Sequence, residues 1–146
     1  MRDLPRQLSA EELAELFERR TRFVELLAER EDPLGSAAEE VAAQLTEADK
    51  LEALDVHPAI GARDLSARSA EEQGRDGDPA VLTELAYLNQ VYEEKFGFRF
   101  VVFINRRPKS EIVPVLQERL EHTREEELET AMGELIAIAR DRWARG

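Results

Sequence analysis

One short segment near the middle of the chain carries side chains that could do acid–base chemistry. It contains His57 and Pro58, and a few residues later Ser69, Glu72 and Gln73. An imidazole titrates near neutral pH, so His57 could transfer protons, and a nearby glutamate could fix its tautomer or bind a substrate. Each residue also has a structural explanation, since Ser69 and Glu72 fit a helix capping box and a histidine before proline can lie in a turn. Taken alone, the segment leaves catalysis and structure both open.

An arginine shares the apolar side of the last predicted helix. The stripe consists of Leu128, Met132, Leu135, Ala139 and Arg142. Its members are four, three, four and three residues apart, which places the arginine on the inward face. A guanidinium there needs an anionic or carbonyl partner, because it cannot lose its proton. Spacing alone favours a second interpretation, in which the arginine lies near the helix C-terminus and extends its head to water.

The composition argues against several classes of function. With 32 acidic and 20 basic residues and a formal net charge of −12, the chain lacks the basic stripe that a nucleic acid partner needs. The absence of cysteine excludes disulfides, zinc–thiolate sites, iron–sulfur clusters and cysteine nucleophiles, and two histidines argue against a multi-histidine metal site. Without a signal peptide or a long apolar run, we expect a soluble cytoplasmic protein with no membrane partner.

Helix start and stop signals predict an all-α, single-domain bundle of about seven helices that spans residues 1–146. The predicted helices begin at Ser9, Ser36, Thr46, Ser69, Asp78, Ser110 and Thr123. The first of them is expected to run to about Glu31. The stretch FGFRFVVFI, Phe96 to Ile104, looks extended, but a single strand without a partner cannot form a sheet. We therefore expect one short extended segment buried between helices.

Four blocks of sequence, in this order and spacing, resemble a known enzyme family. They are HPAIG at 57–61, SAEEQ at 69–73, LNQVYEEKFGFRFVV at 88–102, and KSEIVPVLQERL followed by a helix that ends in RDRW. The pattern resembles the 2-oxo-4-hydroxy-4-carboxy-5-ureidoimidazoline (OHCU) decarboxylases, enzymes of urate degradation that yield S-allantoin. It covers roughly Leu54 to Trp143, whereas the first fifty residues match loosely.

The resemblance implies a decarboxylase that needs neither metal nor organic cofactor. It assigns His57 as general acid or base, Glu72 as its assistant and a substrate ligand, and Arg142 as the side chain that holds substrate oxygens. Further substrate contacts are implied for Pro58, Ser69, Gln73 and the backbone of Phe100 and Val102. The family is all-α and commonly dimeric, so a homodimer is expected.

Two positions depart from the family pattern. Ala59 stands where relatives often have a charged residue, and Arg99 replaces the proline of the usual FGFP sequence. The N-terminal third also lacks an arginine-proline-phenylalanine element common in the family. These differences leave two alternatives open: a decarboxylase of a related ureido acid, and a non-catalytic helical interaction module with the same fold.

Overall fold

The computed structural model describes residues 3–60 and 78–146. This part of the chain contains seven helices and no strand, which confirms the all-α prediction. The helices are α1 (Ala10–Leu16), α2 (Arg22–Ala28), α3 (Ser36–Gln44), α4 (Glu47–Asp55), α5 (Pro79–Phe96), α6 (Lys109–Arg119) and α7 (Arg124–Arg145). The helix predicted to begin at Ser69 lies outside the described residues, and so do Glu72 and Gln73.

The helix predicted from Ser9 to Glu31 is two helices, so that prediction is wrong. The capping box of Ser9 and Glu12 starts α1 as expected, but Glu18 adopts a φ of 79° and ends the helical path. The Thr21 hydroxyl then caps α2 by accepting the backbone N–H of Val24 at 3.3 Å. Residues 18–22 include no apolar residue, so no packing of an apolar residue in the core holds this stretch in a helix. The break turns the Glu18 carboxylate toward α7.

The long helix α7 organises the packing of the described residues. It lies against α1, α3 and α4, while α5 packs against α6. The apolar stripe predicted from the sequence is buried at Met132, Leu135 and Ala139, and Arg142 is buried with it. Within the described ranges, no helix is both long and apolar enough to cross a membrane.

The predicted extended segment follows α5 and is buried, as expected. Gly97 ends α5 with a φ of 82°, a left-handed conformation that glycine adopts without a steric penalty. Phe98 and Phe100 then pack their rings against Tyr92 at centroid distances of 5.9 and 5.2 Å. Residues 99–104 form neither helix nor strand. Side chains of neighbouring elements therefore have to bind the backbone of this segment.

Candidate active site

His57 lies just beyond the C-terminal end of α4. Its N–H donates to the Leu54 carbonyl at 3.1 Å, and Pro58, which has no N–H, cannot continue the helical pattern. The His57 side chain is buried, with the residue 5% exposed. Among the residues that the structure describes, none hydrogen-bonds its Nε2 atom. Because buried polar atoms nearly always have a hydrogen-bond partner, this nitrogen is a candidate for ligand binding.

Arg142 is buried on the inward face of α7. It is 2% exposed, and its Nη1 donates to the Leu16 carbonyl at 3.0 Å. Its Nη2 donates to the Glu18 carboxylate at 3.0 Å. The interpretation in which this arginine extends its head to water is therefore wrong. The carbonyl and anionic partners that its position required come from the end of α1 and the break that follows it.

The environment of His57 favours the neutral imidazole. Burial lowers the pKa of His57 to about 4, and the positive charges of Arg142 and Arg99 act in the same direction. The Glu18 carboxylate opposes this effect, because a negative charge favours the protonated ring. At neutral pH the ring is therefore uncharged and able to accept a proton.

The buried segment after α5 is anchored at alternate residues. The Arg99 N–H donates to Asp55 Oδ1 at 3.0 Å, and the Val101 carbonyl accepts from Arg119 Nη1 at 2.6 Å. The Phe103 N–H donates to Glu134 Oε1 at 3.2 Å. In an extended chain, the peptide groups of successive residues point to opposite edges. The peptide groups of residues 100 and 102 would then point to the edge opposite these anchors.

A second polar cluster lies under the same segment. The buried Glu127 carboxylate accepts from Tyr92 Oη at 2.6 Å and from Arg119 Nε at 2.7 Å, and it lies 2.7 Å from His122 Nδ1. Burial and the hydrogen bond to Glu127 raise the pKa of Tyr92. Within residues 3–60 and 78–146, no three His, Asp or Glu side chains are grouped in a way that could hold a metal ion.

The structure describes five of the eight residues predicted for the site. His57 and Arg142 are buried within electrostatic reach of each other, and Pro58 is half-buried beside His57. Phe100 and Val102 are buried in the segment after α5. Ser69, Glu72 and Gln73 lie outside the described residues. The roles assigned to all eight residues stay predictions.

Two residues near His57 were missed as site residues. Glu18 binds Arg142, and the run of five polar residues at 18–22 was the signal that the first helix ends there. Arg99 donates through Nη1 to the His57 carbonyl, although the sequence marked it only as a departure from a proline. No spacing rule connects positions 57 and 99, since their contact depends on how the end of α4 packs against the buried segment.

The fold and the site together define an all-α protein with a buried neutral imidazole beside a buried arginine, a combination suited to general acid–base chemistry. A sequence model of the OHCU decarboxylase family matches residues 2–144. The chain belongs to this family.

Individual relatives agree with the family assignment. The 2-oxo-4-hydroxy-4-carboxy-5-ureidoimidazoline decarboxylase of Halalkalicoccus jeotgali is 34% identical over 95 residues, which are 62% of this chain and 54% of that relative. The chain thus matches about half of the length of that protein. A solved OHCU decarboxylase, crystallised in the presence of (S)-allantoin, has a TM-score of 0.64 at 28% identity and covers 84% of this chain and 88% of its own. A solved (S)-allantoin synthase has a TM-score of 0.66 at 25% identity, covering 91% of this chain and 47% of its own.

Proposed function

We propose that the protein decarboxylates 2-oxo-4-hydroxy-4-carboxy-5-ureidoimidazoline to S-allantoin in urate degradation, without a cofactor. Family membership over residues 2–144 supports this function, as do the relatives that carry the same name. The observation that carries the proposal is the buried His57 ring, whose Nε2 has no hydrogen-bond partner within the described ranges, in electrostatic reach of the buried Arg142.

The substrate makes this reaction possible without an external electron sink. The carbon that bears the hydroxyl also bears the carboxylate, and it adjoins a carbon–nitrogen double bond. When the carboxylate leaves as carbon dioxide, the electron pair of the broken bond forms a double bond between the two ring carbons. The electron pair of the carbon–nitrogen double bond moves to the nitrogen, which takes up a proton from water. The hydroxyl then becomes a carbonyl as the neighbouring carbon takes up a proton. The protein has to orient the carboxylate, stabilise the developing charge and deliver this proton to one face.

His57 is proposed to carry the proton. With a pKa of about 4, its ring is neutral at physiological pH, with one N–H group and one nitrogen that can accept a proton. It therefore first accepts the proton of the substrate hydroxyl and then returns it to carbon. A bound anionic substrate raises the pKa of His57, because a nearby negative charge stabilises the imidazolium. The ring can thus hold the proton between the two steps.

The substrate is proposed to be bound on one side by the Arg142 guanidinium and on the other by peptide groups of the buried segment after α5. The planar Arg142 guanidinium, already fixed by Leu16 and Glu18, suits a carboxylate or carbonyl oxygen of the substrate. The peptide groups of Phe100 and Val102 can bind the flat ureido edge. Pro58, Ser69 and Gln73 are proposed as further contacts, and Glu72 as the residue that orients His57 or binds ureido N–H groups.

A coupled assay tests the function. Uricase and hydroxyisourate hydrolase generate the unstable substrate from urate, and circular dichroism follows the optically active product. Wild-type protein should give rapid formation of S-allantoin, and His57→Asn should lower kcat by about a hundredfold or more, because proton transfer by a positioned group contributes about that factor.

The matched control is the other histidine. His122 is partly exposed and contacts Glu127 in the second cluster, so His122→Asn should leave kcat close to that of the wild type. If wild-type protein gave only slow, racemic allantoin, the proposed activity would be wrong, and related ureido acids would be the next substrates to assay. If His57→Asn kept the wild-type rate, the role of His57 would be wrong.

We also propose that the protein is a single domain and works as a homodimer in the cytoplasm, with neither nucleic acid nor membrane as a partner. These proposals rest on the composition and on the family resemblance. Light scattering during gel filtration should give a mass twice that of one chain, and a monomer mass across the working concentration range would contradict the dimer. Cell fractionation tests the location.

A further inference from the structure

Arg99 connects three parts of the molecule at His57. Its Nη1 donates to the His57 carbonyl, and its own N–H donates to Asp55 Oδ1 at 3.0 Å. Its Nε lies 3.5 Å from Glu93 Oε1 on α5, and its side chain is 27% exposed. The Arg99 guanidinium therefore connects the buried segment with the end of α4 and with α5.

The contact with the carbonyl completes the anchoring of the His57 peptide groups. The N–H of His57 is already bound to the Leu54 carbonyl at 3.1 Å. Its carbonyl lies past the end of α4, which ends at Asp55, and residues 58–60 are not helical, so no helical N–H among the described residues binds it. With both groups bound, the direction of the Cα–Cβ bond is fixed, and with it the position from which the imidazole extends.

We propose that Arg99 is a positioning residue for His57, which holds the peptide that carries the imidazole in place for proton transfer. The inference rests on the proposed function, because the position of the ring affects a rate only if His57 transfers a proton. Arg99 binds the His57 carbonyl, so it acts on the ring through the backbone. Displacements of about 1 Å in such groups can lower a rate by about a hundredfold.

The charge of Arg99 supports this role. Three charged side chains affect the pKa of His57: Arg142 on α7, Glu18 in the break after α1, and Arg99 itself. Arg99 lowers the pKa of His57, so removing its charge should move that pKa upward, while Arg142 and Glu18 keep their effects. Glu93, which pairs with the Arg99 side chain, would lose its cation at the same time, whereas Asp55 would keep its hydrogen bond to the backbone N–H of residue 99.

Three variants separate the hydrogen bond from the charge. Arg99→Met removes both, Arg99→Gln keeps a donor without the charge, and Arg99→Lys keeps the charge and one donor nitrogen. The matched control is Arg124→Met. Arg124 also donates to a backbone carbonyl, that of Phe96 at 2.9 Å, and it pairs with Glu47, but no contact with His57 is involved.

Three measurements are made on each variant: kcat and KM in the coupled assay, the thermal midpoint Tm, and the His57 ring resonances by NMR, assigned with His57→Asn. Arg99→Met should lower kcat by about tenfold or more with KM within about twofold, shift the ring resonances and raise the pKa of His57. Arg99→Lys should restore part of kcat and keep the pKa low. Arg124→Met should lower Tm without changing kcat or the ring resonances.

A purely structural role gives a different result. If Arg99→Met lowered Tm as Arg124→Met does but left kcat and the His57 resonances unchanged, the inference would be overturned. Should Arg99→Met fail to fold, Arg99→Gln and Arg99→Lys decide the same question. An inactive wild type would refute the proposed function instead, whereas the NMR spectra would still show whether Arg99 fixes the ring.

Discussion

At the level of single residues, burial sets the charge state of His57. An exposed imidazole has a pKa near 6.5, and burial beside Arg142 lowers the pKa of His57 to about 4. The unfolded chain therefore binds this proton more tightly than the folded protein does. Stability from the neutral ring is present in full above pH 6.5 and is lost as the pH falls from about 6.5 to about 4.

This linkage predicts how acid affects the protein with and without His57. Between pH 7 and pH 4, the free energy of unfolding of the wild type should fall by about 3 kcal/mol more than that of His57→Asn. Urea denaturation of both proteins at several pH values measures the difference, in which the shared carboxylates cancel. A difference that did not change with pH would mean that the His57 pKa is the same in the folded and unfolded states.

The buried pair of Arg119 and Glu127 gives a second prediction for single residues. Glu127 is fully buried, and its carboxylate is the anionic partner of the Arg119 guanidinium at 2.7 Å. Glu127→Leu should lower the free energy of unfolding by about 3 to 5 kcal/mol, because it leaves a buried cation without its partner. Combining it with Arg119→Met should recover much of the loss. Urea denaturation checks both values, and additive losses in the double variant would contradict the argument.

Among the elements, the break between α1 and α2 is the one that shapes the site. Glu18 has a φ of 79°, which costs a residue with a Cβ atom about 1 kcal/mol or more relative to glycine. In return, its carboxylate reaches Arg142 at 3.0 Å. Backbone strain at this point is thus coupled to the position of a residue proposed to bind substrate.

Two substitutions at Glu18 isolate this backbone effect. Glu18→Ala and Glu18→Gly both remove the carboxylate, so they differ only in how well they adopt a positive φ. Glu18→Gly should be more stable than Glu18→Ala by about 1 kcal/mol, even though glycine usually destabilises a fold. Thermal and urea denaturation give the comparison. If Glu18→Ala were the more stable of the two, this turn would not hold its left-handed conformation in solution.

Four of the helix starts were predictable because their capping signals are local. Ser9, Thr46, Asp78 and Thr123 all accept the expected backbone N–H groups. The end of α1 was missed since the apolar spacing on either side of residues 18–22 resembled one continuous helix. The helical spacing of the apolar residues placed Arg142 on the correct face of α7. Its partners at the end of α1 are 126 and 124 residues away. Contacts of that range depend on how the helices pack, which the local pattern does not contain.

At the level of the whole molecule, the formal net charge of −12 contrasts with the two arginines, Arg99 and Arg142, that lie near His57. The proposed substrate is also an anion. The Debye screening length is roughly 30 Å at an ionic strength of about 0.01 M and roughly 8 Å at about 0.15 M. At low salt the charges of the whole protein surface therefore act on an approaching anion, and not only Arg142 and Arg99. Repulsion by the whole surface therefore slows the approach of substrate at low salt, and attraction by the arginines acts only after arrival.

The last prediction follows from this contrast in range. Raising the ionic strength from about 0.01 to about 0.15 M should increase kcat/KM by about twofold, with kcat nearly unchanged, because screening acts on encounter and not on proton transfer. Replacing the exposed Glu118 and Glu121 by lysine weakens the negative field and should reduce this salt dependence. A fall in kcat/KM with added salt would mean that Arg142 and Arg99 dominate the field at the mouth of the site. Their charge would then act on encounter as well as on the bound substrate.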